Sequence, residues 1–120
     1  MSNNPINLGL RFMLELAMLA ALAYWGWTMH EGLTQVLLVI ALPLAAATLW
    51  GVFRVDNDPK KAPVRIPGVL RLLLELALFV MAVALLAQAG QPTLALIFGV
   101  IVLIHYVISY DRIQWLLQQP

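Results

Sequence analysis

Polar residues in this chain are confined to short interruptions between long apolar runs. Leu8 to Trp27, Leu33 to Phe53, Val69 to Ala89 and Thr93 to Tyr110 are each apolar almost throughout. At 1.5 Å per residue, about 20 helical residues cover the roughly 30 Å hydrocarbon core of a bilayer. A segment crossing that core must satisfy its own backbone, so runs of this length read as helices. The pattern predicts an all-α fold, a bundle of four transmembrane helices. Met29–Gly32 and Gly90–Pro92 are tight turns, which pairs the runs into two helical hairpins. Arg54 to Gly68, RVDNDPKKAPVRIPG, is the one substantial loop, with three prolines, two aspartates and four cations. Residues 1–120 therefore read as a single membrane domain, with hairpin one at 8–53, the loop at 54–68 and hairpin two at 69–117. Residues 1–7 read as a frayed start. The tail after Tyr110, with Ile113, Trp115, Leu116 and Leu117, reads as a continuation of the last helix along the membrane interface.

The first and third runs repeat one another. Leu10 to Ala17 is LRFMLELA and Leu70 to Ala77 is LRLLLELA, an offset of 60 residues. With two spans per repeat both halves share one orientation, so the expected symmetry is a pseudo-two-fold along the membrane normal. The second and fourth runs share little beyond being apolar, so the repeat is explicit in half of the chain. It also bears on the first run, where Ala21-Leu22-Ala23 resembles a signal-peptide cleavage site. Glu15 inside that run, and its internal twin, favour a retained span.

Composition matters chiefly for what it removes. The chain is 62% hydrophobic and 11% charged, against about a quarter charged in ordinary soluble domains. A formal net charge of +1 makes no electrostatic case for a nucleic-acid partner. The absence of cysteine removes disulfides, thiolate metal sites and iron–sulfur clusters. No metal-protease, phosphate-loop or dinucleotide fingerprint occurs, and no cofactor or metal is expected. The placement of the cations says more than their number. Arg11, Arg54, Lys60, Lys61, Arg65, Arg71 and Arg112 all fall on one side of four spans, and the two opposite turns contain none. The positive-inside rule then puts both termini and the long loop in the cytoplasm. The expected partner is the lipid bilayer, with a second copy or another membrane protein as open alternatives.

Arg11 and Glu15, and again Arg71 and Glu75, are four residues apart and share a helix face. Each glutamate sits about seven residues, or roughly 10 Å, inside its span. Ionised groups are costly in hydrocarbon, so these side chains should face the bundle interior and find partners. Crossed pairs, Arg11 with Glu75 and Arg71 with Glu15, would knot the two halves together. The functional alternative is a proton or cation site at the two carboxylates, although a guanidinium beside each one already occupies it. His105 and Thr48 fall near the same depth. Arg11, Glu15, Arg71, Glu75, His105 and Thr48 thus make a candidate intramembrane polar site, with no catalytic residue nominated. A proton relay through His105 competes with a plain hydrogen-bonded histidine. His30 lies on the other side of the membrane and cannot share a metal with it. Tyr24, Trp25 and Trp27 fit an interfacial aromatic belt more simply than an organic-cation site with Trp50. Pro43 in mid-span predicts a kink.

These segments together carry a resemblance. LRFMLELA followed by AYWGW, LPLAAATLWGVF, a proline-bearing loop, LRLLLELALF and LALIFGVIVLI resembles the YrdB-like family of small bacterial membrane proteins. The resemblance runs from about Leu8 to Tyr110, and it is the combination that is specific. It implies four helices in a bacterial cytoplasmic membrane and names no activity. Three classes of function stand beside it. The first is a non-catalytic accessory or partner-binding component whose Arg/Glu pairs lock the bundle. The second is a small proton- or cation-coupled transporter acting as an oligomer through Glu15 and Glu75. The third, a membrane enzyme, lacks a visible nucleophile–base or metal constellation.

Overall fold

Every long apolar run is helical in the computed structural model, which describes residues 5–54 and 64–119. The order is α1 (Pro5–Thr28), α2 (Gly32–Val52), β1 (Phe53–Arg54), β2 (Val64–Arg65), α3 (Gly68–Gln88), α4 (Pro92–Ile108) and α5 (Tyr110–Leu117). The fold is all-α apart from the two-residue segments β1 and β2, which pair in parallel, Phe53 beside Val64 and Arg54 beside Arg65. Lys60, Lys61 and most of the polar loop lie outside the described residues, as do residues 1–4.

Three helices are long and apolar enough to cross a membrane: Leu8–Thr28, Gly32–Val52 and Gly68–Gln88. The helix α4 with α5 makes a fourth span only if the bent pair is counted as one. The tail is helical, as the sequence reading had it, but as a separate element, because the chain turns by 69° between α4 and α5. The Ser109 N–H donates to the His105 carbonyl and closes α4, while the Ser109 carbonyl accepts from Arg112 and Ile113 and opens α5. At the other end of the chain, Pro5 to Asn7 are helical rather than frayed. Proline suits a first helical position, where its missing N–H has no partner to lose and its φ is preset.

The two hairpin turns each use a glycine in the left-handed region, Gly32 at φ 65° and Gly90 at φ 89°. The α1 and α2 backbones approach closely at Gly26, where a Cβ would lie 3.0 Å from that of Leu38. Helix α1 packs on α2 and α3, and α3 packs in turn on α4 and α5. Met18, Leu22 and Ala82 are fully buried along the α1–α3 contact, with Phe79, Phe98 and Val102 filling the space toward α4. Helix α2 is the outlying member, burying only Ala46 and Trp50, and it runs unbroken across Pro43.

The hairpin-turn end is tied by side chains as well. Trp25 Nε1 donates to Gln88 Oε1 at 2.9 Å, joining α1 to α3, and Gln91 Nε2 donates to Tyr24 Oη at 3.0 Å. Gln35 Nε2 reaches the Trp27 carbonyl at 2.8 Å. Replacing Trp25 by Phe removes one such bond and leaves a smaller aromatic ring, so thermal unfolding in detergent should show a loss of at least about 1 kcal/mol.

Candidate functional site: one buried carboxylate under three guanidiniums

Two turns into α3, Glu75 projects into the bundle and is 1% exposed. A carboxylate there has no water to replace its hydration, so each oxygen must be satisfied by the protein. Both are. Oε1 accepts from Tyr106 Oη at 2.7 Å and from Arg112 Nη1 at 3.0 Å. Oε2 accepts from Arg71 Nε at 2.6 Å and from Arg112 Nη2 at 2.6 Å. Arg11 Nη2 stands 3.7 Å from the same oxygen. An ionised carboxylate offers about four lone-pair sites, and four hydrogen bonds fill them.

Each donor comes from a different element, and the local sequence explains how. Arg71 precedes Glu75 by one helical turn, the spacing at which side chains stack. Arg112 lies on α5, and the bend at Ser109 swings its fork onto the carboxylate in the bidentate geometry that guanidinium favours. Tyr106 comes from α4. Arg11 reaches across from α1, giving the interhelical Arg11–Glu75 contact expected from the sequence.

Arg71 does more than pair with Glu75. Its Nη1 donates to the carbonyls of Trp50 at 2.5 Å and Phe53 at 2.9 Å. These belong to the end of α2, where carbonyls lack helical partners and the helix dipole favours a cation. The guanidinium carbon also lies 4.6 Å from the Trp50 ring centroid, so the cation over Trp50 is the chain's own. Its Nη2 is buried and meets no hydrogen-bond partner among the described residues.

The crossed knot expected from the sequence is therefore asymmetric. Glu75 collects all three guanidiniums. Its counterpart Glu15 is only half-buried, and Arg11 and Arg71 act on it electrostatically. His105 is 2% exposed beside Tyr106, with ring centroids 5.4 Å apart. Thr48 is not in this cluster. It is exposed, and its Oγ1 donates to the Leu44 carbonyl in its own helix at 2.8 Å. Replacing Thr48 by Val should change stability by less than about 0.5 kcal/mol, as at surface positions away from special contacts; a melting curve checks this. Sequence reasoning used Arg112 only as an orienting charge and passed over Tyr106. The one available signal was the Arg112/Leu116 spacing of four, which puts a cation and an apolar side chain on one face.

Among the described residues no group of three or more His, Asp or Glu side chains gathers as a metal site. Residues 9–103 match the family model described as "Protein of unknown function (DUF2568)". Over 119 residues the chain is 39% identical to the Uncharacterized protein YrdB of Bacillus subtilis (strain 168), with 97% of each chain covered. The chain belongs to this YrdB-like family. No solved structure matches it. Within this member of the YrdB-like family the chemistry of the cluster is that of a closed ion pair. The carboxylate's acceptor sites are taken, the surrounding guanidiniums repel cations, and the side chains come from four helices at once.

Proposed function

We propose that this YrdB-like protein is a non-catalytic integral membrane component, an accessory or partner-binding subunit whose buried charges assemble its own bundle. The observation that carries this reading is the saturation of Glu75 by four hydrogen bonds. A carboxylate that exchanges protons or cations needs an open acceptor site, and this one has none. In the proposed architecture four spans form two hairpins related by a pseudo-two-fold along the membrane normal, with both termini in the cytoplasm. The packing of α1 on α2, of α3 on α4, and of α1 against α3 supports that arrangement. So does the distribution of Lys and Arg.

Transport remains the second reading because of Glu15, which is half-buried and not enclosed in the same way. Proton- and dye-flux assays in liposomes separate the two. The accessory reading expects no flux above protein-free vesicles, for wild type and Glu15→Gln alike. Flux that Glu15→Gln abolishes would replace it with a carrier acting through α1.

A further inference from the structure

Helix α5 has three chemically distinct faces, with the part-buried Trp115 at the border between the polar and the docked one. At about 100° per residue, Arg112 and Leu116 fall in one sector, Ile113, Leu117 and Tyr110 in a second, and Gln114, Gln118 and Asp111 in a third. The first sector is docked on the bundle: Leu116 is fully buried and Arg112 holds Glu75. The second is apolar and turned outward, with Tyr110 61% and Leu117 54% exposed, while Ile113 fills the angle between them and the core. The third is polar.

We propose that α5 is an in-plane membrane anchor, its Tyr110–Leu117 face seated at the headgroup–acyl boundary of the leaflet that surrounds the Glu75 cluster. This rests on reading α4 as a span. If α4 stands near the membrane normal, a 69° turn leaves α5 close to the membrane plane. A helix in that position needs an apolar flank toward the acyl chains and a polar flank toward water, which are its second and third faces. A tyrosine at the junction suits the boundary, its ring in the apolar layer and its hydroxyl among headgroups. The same docking sets the depth. Arg112 cannot leave the carboxylate it shares with α1, α3 and α4, so the anchor is held at a fixed height relative to the spans.

The lack of cysteine makes the test direct. Single cysteines at Tyr110, Gln114, Leu117 and Gln118 are labelled with bimane in lipid nanodiscs. Each is quenched by iodide in the buffer and, separately, by a phospholipid carrying a nitroxide just below its headgroup. Labels at 110 and 117 should be quenched several-fold more by the lipid nitroxide than by iodide, and labels at 114 and 118 the reverse. Iodide access at 117 equal to that at 114 would overturn the proposal. So would a label at 117 shielded from both quenchers, which would mean that a protein or a second copy covers this face. A label at Leu103, 65% exposed in mid-α4, answers for the membrane itself. Quenching there by a nitroxide deep in the acyl chain upholds α4 as a span whatever α5 does.

Discussion

Glu75→Gln should be the most destabilising isosteric change in the chain, lowering unfolding free energy in mild detergent by about 3–5 kcal/mol, the usual cost of leaving buried charges without their counter-ion. The amide has almost the same shape, so packing is preserved and the effect isolates charge. Three guanidiniums then share a neutral group, and an NH2 faces donors that had met an oxygen. Glu15→Gln should cost far less, because that carboxylate is only half-buried. Tyr106→Phe removes a single bond to the charged group and should cost about 1.5–3 kcal/mol. The Glu75 effect should also be nearly independent of ionic strength, since salt screens buried pairs much less than exposed ones. Equal melting of wild type and Glu75→Gln would show that the cluster contributes nothing to assembly.

Gly68→Ala should cost about 3 kcal/mol, the upper end of what overpacking costs, although it adds only a methyl group. A Cβ at this position would collide with the Leu116 carbonyl group and lie 2.9 Å from its Cα. Backbone on both sides leaves nothing that can rotate away. The obstruction falls where α5 caps α3, the Gly68 N–H donating to the Gln119 carbonyl at 3.1 Å. To admit the methyl, α5 must lift, exposing Leu116 and drawing Arg112 off Glu75. Hydrogen exchange resolved by segment should therefore show faster exchange in α5 as well as a lower melting temperature. Gly9→Ala is the matched control. Its Cβ meets nothing within 4 Å, and the exchange should be neutral or stabilising by up to about 1 kcal/mol from helix propensity. A Gly68→Ala protein that melts like wild type would mean that α5 is not seated as described.

What the sequence revealed and what it hid follow from how each signal is encoded. The spans were legible because length and apolarity alone specify them. Arg71 with Glu75 was legible because the helix repeat places residues four apart side by side. Arg11 with Glu75 followed from the repeat and the cost of burying ions. Arg112 was hidden because its approach depends on a turn at Ser109, made by backbone hydrogen bonds that no residue type announces. Thr48 faces away from the cluster it is expected to join. Helix α2 is apolar on every face, so nothing in its pattern fixes which face turns inward. Of the three long apolar helices, α2 is also the least buried. The divergence of Glu15 from Glu75 was equally invisible, since it arises from what α2 and α5 bring to each half and not from the repeated motif.

The spread of partners around Glu75 has a consequence for biosynthesis. Arg112 is 37 residues further along the chain and Tyr106 is 31, so both are added after Glu75, whereas Arg11 and Arg71 precede it. Glu75 is thus preceded in the chain by two of its three guanidiniums, Arg11 on α1 and Arg71 one turn away on its own helix. The carbonyls at the end of α2 have already been made and can receive the other side of the same guanidinium. Order along the chain thus makes Arg11 and Arg71 the early partners of Glu75, and Arg112 the late closure that arrives with α5.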